Sequence, residues 1–302
     1  PDEGELNIED LLADTPWVIT LSRSGYIKRV ALETYHEQRR GGKGVQGMNT
    51  KDEDYVEKVF TASTHDVMLF FTSKGRVYWK KAYEIPESSR AARGKALVNF
   101  LEVGPEESIA DLLCIREFSE DRYLVMATKD GVVKKTRLSA FRNIRAGGII
   151  AVAVDEDDLL IGIRLTSGED ELVLSTRRGM SIRFEETQLR DQGRATRGVR
   201  GISLAKTTDD RVVNITVVNH EGSFLTVTEN GYGKRTRFDE YRFQKRGGKG
   251  VIAIRTSVRN GMVVGAYAVQ DTDTIMLITE RGQTVRMPVG DLRIISRNTQ
   301  GV

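Results

Sequence analysis

The sequence predicts an all-β protein of six repeated units, each with about four short strands, arranged radially. Three observations carry the prediction: a period of about fifty residues, a glycine-closed hairpin in every period, and almost no convincing helix. The turn glycines are Gly25, Gly75, Gly131, Gly179, Gly231 and Gly282, separated by 50, 56, 48, 52 and 51 residues.

Each unit opens on an apolar strand that runs into its turn. These segments are Val18 to Gly25, Met68 to Gly75, Leu124 to Gly131, Leu172 to Gly179, Leu225 to Gly231 and Ile275 to Gly282. Asp130-Gly131 and Asn230-Gly231 are strong hairpin signals, because glycine takes the positive φ that a tight turn needs. Further alternating strands follow at Val56 to Phe60, Ala110 to Ile115, Leu160 to Leu165, Val212 to Val218 and Val263 to Val269. Acid-rich joints such as Lys51-Asp52-Glu53-Asp54, Asp155 to Asp158 and Thr208-Asp209-Asp210 connect the units and read as solvated loops. The expected blade cores are 17–50, 56–101, 110–157, 160–205, 212–257 and 263–302, within one domain over 1–302. The first unit lacks a strand before Trp17, and Leu6 and Ile8 are expected to supply that edge. The repeat does not separate an ordinary propeller from one whose blades exchange strands.

Counting from each turn glycine fixes a finer register. Position +10 is apolar in every unit: Tyr35, Ile85, Phe141, Leu189, Tyr241 and Leu292. Position +15 is arginine in five of six (Arg40, Arg90, Arg194, Arg246, Arg297), and +19 is glycine in five of six (Gly44, Gly94, Gly198, Gly250, Gly301). The third unit departs at both, yet keeps Gly147-Gly148 opposite Gly41-Gly42 and Gly247-Gly248.

Composition allows a core and excludes several classes. The 302 residues are 39% hydrophobic and 29% charged, with 46 basic and 43 acidic residues leaving a net charge of +3. No run approaches a membrane span and no charged-then-apolar leader is visible, so a cytoplasmic location is expected. The single Cys114, in Leu112-Leu113-Cys114-Ile115, excludes a disulfide framework and reads as a small core residue.

The average charge hides its distribution. The windows from +13 to +19 are Gln38–Gly44, Ser88–Gly94, Ile144–Ile150, Gln192–Gly198, Gln244–Gly250 and Ile295–Gly301, and they hold 12 cations and no acid in 42 residues. The cations are Arg39, Arg40, Lys43, Arg90, Arg93, Arg145, Arg194, Arg197, Lys245, Arg246, Lys249 and Arg297. In a radial repeat these form a belt, and an ordinary solvated rim would mix signs. Position +4 is basic in five units (Arg29, Lys135, Arg183, Arg235, Arg286) and reads either as part of the belt or as solvated strand. Arginine grips phosphate with two N–H groups, and glycine lets backbone N–H groups approach closely. No recognition helix is visible, so double-stranded DNA would be bound without sequence readout and with steep salt dependence. Bending it round the belt would cost on the order of 1–6 kcal/mol per 20–30 bp, which many phosphate contacts can offset.

The heptad Gln38-Arg39-Arg40-Gly41-Gly42-Lys43-Gly44 resembles the gyrase A-box, and its setting from Val18 to Tyr35 resembles the first blade of the C-terminal domain of the DNA gyrase A subunit. Thr64-His65-Asp66, Ser73 to Tyr78 and Arg90-Ala91-Ala92-Arg93-Gly94 resemble its second blade. The resemblance covers essentially all 302 residues. It implies a six-bladed β-pinwheel that wraps DNA round its rim, letting an ATP-dependent topoisomerase introduce negative supercoils. It implies as partners the remainder of the A subunit plus, in the holoenzyme, the B subunit, with the isolated domain a monomer. The sister topoisomerase IV domain has degenerate boxes, and the intact first box favours gyrase. The near-complete second box, Gln244-Lys245-Arg246-Gly247-Gly248-Lys249-Gly250, departs from the family, which more often shows degraded copies.

Signatures of catalysis are missing from the sequence. The nine tyrosines fall mainly in strands or at +10, the Gly-Lys pairs at 42, 94 and 248 are not followed by Ser or Thr, and His36, His65 and His220 are isolated. Asp155 to Asp158 and Asp271 to Asp273 read as loops rather than metal ligands, so no metal and no cofactor is expected. The rival readings are a protein-interaction propeller with a merely soluble rim, and RNA-binding RGG elements at Arg40-Gly41-Gly42 and Arg246-Gly247-Gly248.

Overall fold

The computed structural model describes residues 8–34, 54–281 and 284–302. The first box, Gln38–Gly44, lies outside these residues, as do Leu6, Tyr35, His36 and Gly282.

The all-β, propeller-like expectation is borne out. Each unit opens on an antiparallel hairpin: Pro16–Ser22 with Tyr26–Ala31, Val67–Thr72 with Arg76–Lys81, Tyr123–Thr128 with Val132–Arg137, Glu171–Thr176 with Met180–Glu185, Ser223–Thr228 with Gly233–Thr236, and Thr274–Ile278 with Thr284–Pro288. A companion strand pairs with the first strand of five of these: Val56–Ser63, Ile109–Ile115, Leu160–Thr166, Val212–Val217 and Val263–Val269. Companions of neighbouring units touch one another and so form the inner edge.

The outer edge is built by exchange. Two-residue strands from the following unit pair with the second hairpin strand of the preceding one: Lys95–Ala96 on Tyr26-Ile27, Ile149–Ile150 on Arg76-Val77, Val199–Arg200 on Val132-Val133, and Val251–Ile252 on Met180-Ser181. The sequence had left this exchange open. In the fifth unit Val302 and Gly233 exchange both backbone hydrogen bonds at 2.9 and 3.0 Å, repeating the pairing. The described residues thus form four four-stranded sheets, one three-stranded sheet and one two-stranded hairpin.

The continuous apolar runs follow from sheets covered on both faces. Successive side chains of a strand point to opposite faces, so Met68 and Phe70 pack with Ile19, Leu21 and Ile27 of the first unit. Leu69 and Phe71 pack instead with Leu124 and Met126 of the third unit. Val125 and Ala127 repeat the step against Leu172 and Leu174. The +10 residues Ile85, Phe141, Leu189 and Tyr241 are buried as expected, and Cys114 packs at the edge of a core cluster, where burial pushes its thiol up to about 12.

Two expectations need correction. Ile8–Leu11 is a short 3-10 helix rather than an edge strand, and Ile8 is 67% exposed. Its turn is tied to the second unit by Glu9 to Lys81 at 3.0 Å, by Leu12 C=O to His65 Nε2 at 2.9 Å, and by Asp14 to Arg116. The joints are not simply solvated either: Asp54 and Asp158 are buried, and with Asp210 they accept the turn N–H groups of Ser24, Asp130 and Arg178. Those amides have no partner in a two-residue hairpin turn, which explains why an acid recurs there. Among the described residues no helix is long and apolar enough to cross a membrane.

Candidate nucleic-acid interface

The basic windows owe their position to the exchange. In the second, fourth, fifth and sixth units, residue +12 makes a parallel bridge to residue +4 of the preceding unit: Glu87 to Arg29, Asp191 to Lys135, Phe243 to Arg183 and Ile294 to Arg235. The chain then loops through the window and returns antiparallel as the exchanged strand. Each of these four windows is therefore a loop laid over its neighbour's outer strand.

Lysine at +3 fills three of these loops from beneath. Lys28 donates to the carbonyls of Ser89, Arg90 and Ala92 at 3.1, 2.6 and 2.7 Å. Lys134 donates to Gly193, Arg194 and Thr196 at the same offsets, and to Ala151. Lys234 does so to Ser296, Arg297 and Thr299. Burial lowers all three ammonium groups, Lys134 and Lys234 to about 8.

Apart from the exposed Arg286, the +4 cations belong to neither of the two classes the sequence offered. Arg183 Nη1 donates to the carbonyls of Phe238 and Tyr241 at 3.0 Å, Arg235 to Val289 and Leu292, and Arg29 Nε to Ile85 at 2.7 Å. These carbonyls stand at +7 and +10 of the next unit, so the arginines are inter-unit fasteners. Trp79, the exception, does the same work by donating Nε1–H to Ile144 at 2.7 Å. Only Arg286 of the five is exposed.

The window cations divide into three groups. The +15 arginines each lend one side of the guanidinium to a neighbouring backbone: Arg90 to Thr34, Arg194 to Ile150, Arg246 to Arg200 and Arg297 to Ile252. At +18, Arg93 stacks on Tyr26 at 3.7 Å and lies 3.6 Å from Asp54, while Arg197 pairs with Asp155 at 2.6 Å. Acids absent from the windows in sequence thus reach two of them in space. Arg145, Lys245 and Lys249 are exposed and make no ion pair with a described residue.

In the second box the glycines act through conformation rather than through free amides. Gly247 and Gly250 have φ of +83° and +79°, and a Cβ on Gly250 would stand 2.5 Å from Ser181 O. Gly247 N–H already donates to Gly201 O at 2.7 Å, and Gly248 N–H to Lys245 O at 3.4 Å. Backbone amides at these two positions are therefore not free for an anion, which leaves the cationic side chains as the groups that could meet one.

A further row was legible by the same counting and was missed. Position +11 is arginine in four successive units: Arg142, Arg190, Arg242 and Arg293, all exposed. Arg190 and Arg246 line one cleft of about 440 Å³ between the third, fourth and fifth units, together with Gln188 and Gln192.

The family described as DNA gyrase C-terminal domain, beta-propeller, matches residues 16–63, 66–116, 122–167, 170–219, 222–270 and 273–302. The chain belongs to this family. The DNA gyrase A subunit of Salmonella typhimurium is 48% identical to this gyrase C-terminal domain over 301 residues, covering all of it and 34% of the relative. The Escherichia coli K12 protein of the same name is 46% identical over the same length and share. The chain spans about a third of the length of these curated relatives. A solved gyrase A C-terminal domain superposes with a TM-score of 0.80 at 25% identity, over 95% of this chain and 94% of that one. A topoisomerase IV C-terminal domain superposes with 0.77 at 28% identity, over 96% and 89%.

Proposed function

We propose that this gyrase C-terminal domain binds double-stranded DNA through its phosphates and wraps it round a basic rim, as the non-catalytic module with which gyrase introduces negative supercoils. The observation that carries the reading is the repeated placement of acid-free windows on the outer edge, each laid over the preceding unit by the same exchange. Regular spacing of like charge along an edge suits a regular polyanion, and a bent duplex supplies one. Six such units make a six-bladed β-pinwheel in this reading, occupying residues 1–302 as a single domain.

Gln38–Gly44 is the first anchor and Gln244–Gly250 the second. Arg90, Arg93, Arg145, Arg194, Arg197 and Arg297 guide the duplex between them, with Arg93 and Arg197 weakened by their acids. The protein partners are the remainder of the A subunit, with the B subunit beside it in the holoenzyme. The topoisomerase IV reading is favoured by one observation, the superposition at a TM-score of 0.77. The intact first box of the sequence stands against it.

Ligation of nicked circular DNA in the presence of the chain tests the reading. A shift in linking number that grows with protein concentration is expected, and its sign gives the handedness of the wrap. A topoisomer distribution identical to that of DNA alone would overturn the proposal.

A further inference from the structure

We propose that Arg190, Arg242 and Arg293 form a second phosphate-binding row beside the windows of the fourth to sixth units, gripping the DNA backbone next to the phosphates the windows hold. The inference rests on the DNA-binding reading above and extends it to residues outside the windows.

The three arginines occupy one register position. Each directly precedes the residue bridged to the neighbouring outer strand, Asp191, Phe243 and Ile294, so all three stand at the same corner of successive windows. Each is exposed and makes no ion pair with a described residue. Arg190 and Arg246 line the same cleft of about 440 Å³, whose lining includes Lys134, Lys135, Gln188 and Gln192 but no acid. Two guanidinium groups from different units lining one acid-free cleft are suited in charge and donor type to a phosphodiester. Arg242 lies against the window itself, its Nε and Nη2 within 3.2 and 3.1 Å of the Gln244 side-chain oxygen in the amide orientation that satisfies both groups. Arg142 holds the same register position in the third unit but is differently engaged. Its guanidinium donates to Phe118 O at 2.6 Å and pairs with Glu120 at 3.4 Å. The row therefore begins at the fourth unit.

Arg142 supplies an internal control. Binding of the 302-residue chain to a linear duplex long enough to wrap is measured across a series of KCl concentrations, for the parent, R142A and R190A/R242A/R293A. Every phosphate that is no longer gripped lowers the slope of log affinity against log salt by about 0.9, so the triple variant should lose roughly 2 to 3 and R142A close to nothing. R190E alone, at an exposed position, keeps the test open if the triple variant unfolds, and should lower the slope by itself. Slopes of the triple variant and R190E equal to the parent's would overturn the row while leaving DNA binding intact. A parent that does not bind the duplex would overturn both readings.

Discussion

Lys134 donates to four backbone carbonyls of two loops while almost fully buried. Lys134→Met removes the ammonium donor from all four, of which Gly193 O and Thr196 O keep a second donor in the Thr196 hydroxyl and Ala153 N–H respectively. It should cost about 3 kcal/mol, read from the urea midpoint at pH 7. An unchanged midpoint would mean that the loop does not depend on its lysine. The same burial gives a pH signature. An unfolded lysine holds its proton to about pH 10.5, while Lys134 and Lys234 release theirs in the folded protein at about 8. Between these values the unfolded chain binds more protons, so this contribution raises stability with pH, and below 8 it is flat. From about pH 9 the Cys114 thiol, pushed up by burial to about 12, and above pH 10 the buried phenol of Tyr241, also pushed up by burial, act with the opposite sign and erode stability. Between pH 7.5 and 10 the urea midpoint of the parent should gain on that of K134M/K234M, because the Cys114 and Lys28 contributions are common to both; a constant difference would sink the assignment. Glycines offer a second contrast. Gly179 and Gly231 share a φ of +88° and +82°, but a Cβ on Gly179 would meet Ile254 O at 2.2 Å and one on Gly231 meets nothing within 4 Å. Gly231→Ala should therefore cost about 1 kcal/mol, the left-handed strain alone, and Gly179→Ala clearly more.

At the scale of the element, the window is held by the unit before it. Arg183 links Glu171 at 2.6 Å, the carbonyls of Phe238 and Tyr241, and the face of Phe243 at 4.0 Å. Arg183→Met should destabilise by about 3 kcal/mol, since it removes the cation from Glu171 and the side-chain donor from Phe238 O and Tyr241 O, although Glu171 keeps His220 and Phe238 O keeps Tyr241 N–H. Hydrogen-exchange protection should fall first across residues 244–252, and DNA affinity with it, although Arg183 itself is 7% exposed. Protection that falls evenly over the whole chain would show that the fastening is not local. The basic pattern of this window was legible in Gln244–Gly250. Its anchoring was not, because Arg183 precedes Phe238 by 55 residues and the contact exists only after two units pack. For the same reason a +4 arginine is indistinguishable in sequence from a solvated one.

For the whole molecule, the expected consequence of the register is a wrap with two strong grips. R39A/R40A/K43A should abolish most of the linking-number shift in nicked-circle ligation while leaving the folding transition in place. K245A/R246A/K249A should lower the salt slope by roughly 2, less than three full contacts because the Arg246 guanidinium already donates to the carbonyls of Gln188 and Arg200. An unaltered slope would make the second box vestigial.

The sequence by itself determined the all-β class, the units, the turn glycines, the apolar +10 positions and the exclusion of acids from the windows, because each is a local or strictly periodic property. Only the tertiary structure decided that the edge strands are exchanged, that the +3 lysines and the +4 cations other than Arg286 serve the protein rather than its partner, and that Asp54 and Asp155 reach Arg93 and Arg197. Those outcomes depend on which carbonyl or carboxylate lies within about 3 to 4 Å of a cation once neighbouring units meet. No spacing within one unit contains that distance.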